Sequence, residues 1–200
     1  MLTAVLYCLL KHPSCLAKTR QEISSRTRNG ELSSRPTFKQ VQSTPYLQAV
    51  IQEAMRLVPV AGMPLQRVVP PGGAHICGRF FPAGSVVAIS LWVFQHSTSI
   101  HGQDAEAFRL ERWLEADKEH VAEMNRYWMP FGLCSRTCIG KHVALLVMNK
   151  MLPVILEKFD FELRGGLEEE GKEMEWVSHI FVRSAGLPVR VRLREAQQAL

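Results

Sequence analysis

A cysteine at the junction between a turn-rich loop and an apolar helix can hold a metal as its thiolate, and Cys138 occupies such a junction. The segment reads Met129-Pro130-Phe131-Gly132-Leu133-Cys134-Ser135-Arg136-Thr137-Cys138-Ile139-Gly140. Backbone N–H groups at a helix start are unpaired and carry partial positive charge, which favours a sulfur anion beside them. Arg136 adds charge just before the cysteine, or reaches an anionic group nearby. Gly140 removes a side chain where something flat could approach the helix. Phe131 places an aromatic ring ahead of the loop. These parts suit a metal-bound thiolate in a dry pocket. Cys134, Cys138 and His142 are also spaced by four, which would suit zinc on one helical face. Zinc wants a fourth ligand, and none is obvious. His75, His96, His101, His120 and His179 show no ligand spacing and read as surface or packing residues.

The elements that must position this loop follow from periodicity. Leu2–Ile23 reads as a helix with a break or a new first turn at Pro13. Residues 24–37, rich in Ser, Arg and Gly, read as a loop. Thr44-Pro45 reads as an N-cap followed by proline at the first helical position. The helix from Tyr46 to Leu57 carries an apolar stripe through Leu47, Val50, Ile51, Ala54, Met55 and Val58, and Pro59 stops it. Leu65–Val69, Ala74–Cys77 and Val86–Leu91 read as short strands separated by Pro/Gly turns, with a short helix over Leu91–Ser97. Residues 98–138 read as mostly irregular, with helical turns near Asp104 and Lys118. Lys141–Lys158 is apolar over much of its surface and reads as a largely buried helix, kinked at Pro153. Asp160–Leu163, Trp176–Val182 and Val189–Leu193 read as strands of one small sheet.

Composition sets the frame. The 200 residues suffice for one domain with a core, and 46% hydrophobic with 22% charged is globular. The net charge of +5 is spread along the chain without a dense basic block, so nucleic acid is not an expected partner. Five scattered cysteines are not a disulfide framework and point to free thiols in a reducing, intracellular compartment. The apolar opening Met1–Leu10 is stopped by Lys11, His12 and Pro13, short of the roughly 20 apolar residues a membrane span needs, so no anchor is expected in this chain.

Two further motifs join the cysteine loop. Glu53-Ala54-Met55-Arg56 puts an acid and a base on one helix face. Alone, that pattern is usually a surface ion pair worth roughly 0.2–0.5 kcal/mol. The second is Phe108-Arg109-Leu110-Glu111-Arg112-Trp113. In this order and combination the chain resembles the cytochrome P-450 family. The family's haem loop reads Phe, two residues, Gly, one residue, Arg, one residue, Cys, one residue, Gly; Phe131, Arg136, Cys138 and Gly140 fall in place. Cys134 departs, standing where the family has a glycine that serves a tight bulge. Leu110 departs too, standing for the proline of Phe-x-Pro-Glu-Arg-Trp. The runs Pro64–Pro70, Phe80–Val87 and Phe159–Leu163 look like this family as well. The flavour is fungal, nearest the pisatin-demethylase-like or benzoate-hydroxylase-like members.

The resemblance implies a mainly α fold with small β-sheets, the C-terminal portion of the cytochrome P-450 fold, over residues 1–200 as one partial domain. It implies haem b with Cys138 as axial iron ligand, and Phe131, Gly140, Arg136 and Arg67 around it, the arginines toward the propionates. It makes Glu53, Arg56 and Arg112 a buried structural triad. It implies a haem-thiolate monooxygenase that inserts one atom of O2 into a small, apolar organic substrate, with electrons from an NAD(P)H-dependent reductase. Intact members sit on the cytoplasmic face of the endoplasmic reticulum. The family's distal oxygen-activating helix and N-terminal part are not in this sequence, so no catalytic residue is assigned here and the chain reads as truncated. Three classes stay open: a working monooxygenase, a non-catalytic haem-binding remnant, and the zinc module.

Overall fold

A computed structural model describes residues 1–194. The first expected helix is two. Helix α1 (Leu2–Lys11) ends at His12, and α2 (Pro13–Arg28) begins with proline at its first position. Proline is tolerated there because that N–H has no intrahelical partner. Helix α2 runs past Ile23 to Arg28, so the expected loop is shorter than its composition suggests. Its last turn carries Arg26 and Arg28, which suit the negative end of the helix dipole, and Gly30 then adopts φ +74°. Helix α3 (Phe38–Gln42) follows that loop, in residues to which the sequence reading assigned no element. Its signal was legible: Thr37 and Gln40 form a reciprocal capping box.

Helix α4 (Pro45–Leu57) carries the stripe expected of it. The Thr44 hydroxyl makes no cap bond. Glu22 of α2 does that work across the interface, its carboxylate accepting from Tyr46 N at 3.1 Å and Leu47 N at 3.0 Å. Strands β1 (Leu65–Val68), β2 (Ala74–Ile76), β3 (Arg79–Phe81) and β4 (Val86–Ile89) follow. They form two antiparallel pairs: β1 with β4, Leu65 opposite Ile89, and the β2–β3 hairpin.

Residues 98–138 are more helical than expected. After α5 (Leu91–Gln95) come α6 (Thr98–His101), α7 (Glu111–Leu114) and α8 (Lys118–Tyr127). Asp117 starts α8 by accepting from His120 N at 2.8 Å, and a short 3₁₀ turn covers Cys134–Arg136. Helix α9 (Lys141–Lys158) has the expected bounds and continues past Pro153. The tail is two separate antiparallel pairs rather than one sheet: β5 (Phe159–Leu163) with β8 (Val189–Leu193), and β6 (Trp176–Ser178) with β7 (Val182–Ser184). The expected strand Trp176–Val182 is broken because its middle turns back on itself.

The core lies among α1, α2, α4 and α9, built on Val5, Leu9, Ile23, Leu47, Val50 and Met55 with Met148, Leu152 and Leu156 of α9. A half-buried amide pair reinforces it, Gln48 Nε2 donating to Asn149 Oδ1 at 2.8 Å. Helix α9 itself corrects an expectation. Only one face is buried; Val143, Leu146, Val147 and Met151 face solvent, Val143 at 65% exposure. A helix apolar all round buries only as many faces as have neighbours. Among the described residues no helix is long and apolar enough to cross a membrane.

Candidate functional site

One buried carboxylate ties together the helices of this part of the chain. Glu53 sits on the third turn of α4, fully buried, and accepts five hydrogen bonds. Arg56, one turn on, grips both oxygens through Nε and Nη2 at 2.9 Å each. Arg112 of α7 donates Nε to Oε1 at 2.9 Å. Trp113 donates its indole N–H to Oε2 at 2.7 Å, and Arg109 its backbone N–H to Oε1 at 3.1 Å. The spare guanidinium N–H groups are used as well. Arg56 Nη1 reaches the carbonyls of Gln95 (2.8 Å) and Ala105 (2.7 Å), and Arg112 Nη1 that of His101 (2.6 Å). The structure thus brings Glu53, Arg56 and Arg112 together and ties α4, α5, α6 and α7 to one point. Burial pushes the Glu53 carboxyl up, but the hydrogen bonds and charge of Arg56, with Arg112 and Trp113, outweigh it and hold the group below the usual carboxylate range.

Sequence reasoning assigned no role to Trp113, although it closes the motif that contains Arg112. Leu110, standing for the family's proline, is buried with φ −77°, within the range proline itself occupies, so the backbone keeps its path. His101 was read with the surface or packing histidines. It is buried, neither ring nitrogen has a partner, and its pKa is pushed down to about 4, first by burial and then by the charge of Arg56.

The cysteine loop follows α8. Its ends are tied by Cys138 N donating to Phe131 O at 2.8 Å, while Phe131 packs against the core. Within it, Cys134 O accepts from Thr137 N at 3.1 Å and Thr137 Oγ1 at 2.8 Å. Cys134 has φ +58°, the left-handed region that favours glycine, which accounts for glycine at this place in the pattern. The Cys138 thiol is free and exposed. Its sulfur lies 3.7 Å from where a Cβ on Gly140 would stand, so that glycine keeps the flank of the sulfur clear. Arg136 is exposed in the loop; Arg67 is exposed on β1, where it donates to Gln66 O at 2.7 Å. Neither arginine pairs with a carboxylate among the described residues. The loop packs on β1, Gly132 lying close to Leu65. Beside β1 opens a recess of about 410 Å³, lined by Met63, Leu65, Arg67, Ile180 and Phe181. The Ile180–Phe181 turn is pinned there by Gly62 N to Ile180 O at 3.1 Å and Val182 N to Val60 O at 2.7 Å.

Leu133 and Ile139 of the loop and Val143, Leu146 and Val147 of α9 are exposed apolar side chains, Ile139 fully so, beside the exposed polar Ser135, Arg136, Thr137 and His142. A free thiol, two unpaired guanidinium groups and an apolar face are the chemistry that a flat, apolar, dianionic iron porphyrin needs. Zinc is not supported. Among the described residues no three His, Cys, Asp or Glu side chains converge as a metal-ligating group, so Cys134, Cys138 and His142 do not form that site. The turn at Cys134–Arg136 lies ahead of α9, so the four-residue spacing is not helical here.

A mainly helical chain with small antiparallel pairs, a buried Glu–Arg–Arg knot and an exposed cysteine before a long helix defines a class, and comparison with known proteins gives the same one. The sequence profile of the cytochrome P-450 family matches residues 1–186, and the chain belongs to that family. It is similar to a cytochrome P-450 monooxygenase of Aspergillus terreus, 41% identical over 159 residues, covering 80% of this chain and 32% of the relative. It is similar to a pisatin demethylase of Fusarium vanettenii, 44% identical over 165 residues, covering 82% and 31%. A cytochrome P-450 monooxygenase of Emericella nidulans is 36% identical over 200 residues, covering all of this chain and 38% of the relative. The chain therefore spans about a third of the length of the curated relatives it matches.

Proposed function

We propose that this chain is the thiolate-donating part of a haem-thiolate monooxygenase of fungal secondary metabolism, with haem b as cofactor and Cys138 as the axial iron ligand. The observation that carries the reading is the exposed Cys138 thiol at the mouth of α9, set in an apolar face with Arg67 and Arg136 free to pair with the propionates. Phe131 closes the loop through its carbonyl and Gly140 keeps the sulfur's flank open. The Glu53 knot fixes α4 to α7. When bound, the haem would activate O2 so that one atom enters a small apolar organic substrate and the other leaves as water, with electrons from NAD(P)H through a reductase. The chain's residues bind and orient that group; none is assigned a role in the oxygen chemistry. In an intact family member this assembly would work at the cytoplasmic face of the endoplasmic reticulum.

The test is the absorption spectrum of the reduced, CO-treated protein after loading with haem. A strongly red-shifted Soret band supports the reading, and Cys138→Ala abolishes it. Loaded protein that never shows sulfur ligation overturns it.

A second reading is haem binding without turnover: the chain spans about a third of the length of its curated relatives, and none of its residues is assigned a role in the oxygen chemistry. Product formation by the loaded chain with a competent reductase would sink this second reading; a thiolate spectrum without product would support it.

A further inference from the structure

Away from the cysteine loop, a groove of about 870 Å³ opens among the α1–α2 junction, the end of α4, α5 and the segment from Leu163 to Trp176. No residue of the cysteine loop lines it. Its size is that of a small-molecule site. Its walls are aromatic: Trp92, Phe108 and Trp176 line it. Trp92 stacks on His96 with ring centres 5.0 Å apart, so one indole face is covered and the residue is still 40% exposed. Phe108 is braced by His12 at 4.9 Å.

The charge of the lining is one-sided. Five carboxylates border the groove, Glu106, Glu168, Glu169, Glu170 and Glu173, against one ammonium, Lys11. This holds in a chain whose net charge is +5. Lys11 is tethered to the wall through Lys172 O at 2.6 Å. Glu173 is engaged by the Tyr7 hydroxyl, and Glu106 lies 3.7 Å from His96. Glu168, Glu169 and Glu170 enter no ion pair among the described residues. Aromatic faces and unpaired carboxylates together recognise one chemistry, a cation carried on an apolar body.

We propose that this groove binds an amphiphilic organic cation, an arylalkylammonium whose ring lies against the open face of Trp92 and whose ammonium meets the Glu168–Glu170 carboxylates. The site is separate from the iron site and does not depend on it.

Calorimetric titration of the full chain with three indoles of one skeleton tests this: tryptamine (cation), tryptophol (neutral) and indole-3-acetate (anion). Tryptamine binds about tenfold tighter than tryptophol, and indole-3-acetate more weakly than either. Added salt weakens only tryptamine. The triple variant Glu168→Gln, Glu169→Gln, Glu170→Gln loses that preference and keeps its affinity for tryptophol. Trp92→Leu weakens both ligands, and Cys138→Ala changes neither. Equal affinities for the three, no saturable tryptamine binding by chain with native circular dichroism, or a triple variant that binds tryptamine like the parent would each overturn the proposal. So would loss of tryptamine binding in Cys138→Ala. An oligolysine peptide that outcompetes tryptamine at low concentration would assign the surface to a basic protein and overturn it as well.

Discussion

The indole Nε1 of Trp113 and the Oε2 of Glu53 are 2.7 Å apart, and that bond completes the carboxylate's set of five donors. Without it Oε2 keeps a single partner, Arg56 Nε. Trp113→Phe removes the donor while keeping most of the ring, and costs about 1–3 kcal/mol as a buried acceptor left short. Glu53→Gln leaves Arg56 buried without a counter-charge and Arg112 with only Asp104, 3.4 Å away, and costs about 3–5 kcal/mol. Urea unfolding followed by circular dichroism checks both, and the order of the two losses matters most.

The same carboxyl gives acid sensitivity of one sign. Its folded pKa is depressed below 4.5, so its contribution is present above that value and is lost as pH falls through the folded pKa. Glu53→Gln removes this part of the acid limb.

His101 acts over a higher window. Its folded pKa is lowered from 6.5 to about 4, so the unfolded chain takes up a proton that the folded ring refuses. Stability is fully present above 6.5 and declines as pH falls from there toward 4. His101→Phe flattens that slope and stabilises the protein at pH 5, because both ring nitrogens are buried without partners. Thermal melts of the two proteins between pH 4 and 7 provide the comparison; an unchanged slope would count against it.

Cys134 holds a left-handed backbone at φ +58° with a Cβ attached. Cys134→Gly relieves this and stabilises the chain by about 1 kcal/mol; Cys134→Val destabilises it by at least as much. Denaturant midpoints read the effect, and the thiolate Soret band of haem-loaded Cys134→Gly should sharpen with it.

Glu22 caps a helix that is not its own. Glu22→Ala frees the Tyr46 and Leu47 N–H groups and costs about 0.5–2 kcal/mol. Hydrogen exchange at those two amides, faster in the variant than at mid-helix positions, separates lost capping from general loosening.

What the sequence carried and what it did not divide along the range of the interactions. Helix α9 and the stripe of α4 are periodic, and their bounds were readable from spacing alone. The Glu–Arg–Arg grouping was readable only by resemblance, because Arg112 meets Glu53 across 59 residues of chain. Glu22 as a remote cap and His101 as a buried ring are tertiary facts that no local pattern announces. Helix α8 was read only as a helical turn near Lys118, although Asp117 marks the start and Val121, Met124 and Trp128 recur at helical spacing. The exposure of Val143 and Val147 was missed for the opposite reason. Hydropathy says which residues gain from burial, not whether a neighbour exists to bury them.

Helix α9 keeps Val143, Leu146 and Val147 in water beside Ile139. Such a strip is adhesive without being selective, and it will bind the first oily surface it meets. The order in which porphyrin, surfactant and sister molecules reach it during purification therefore decides whether preparations yield monomer or clumps. Tetrapyrrole supplied while the polypeptide is being made should raise recovery, and the same compound added afterwards should not.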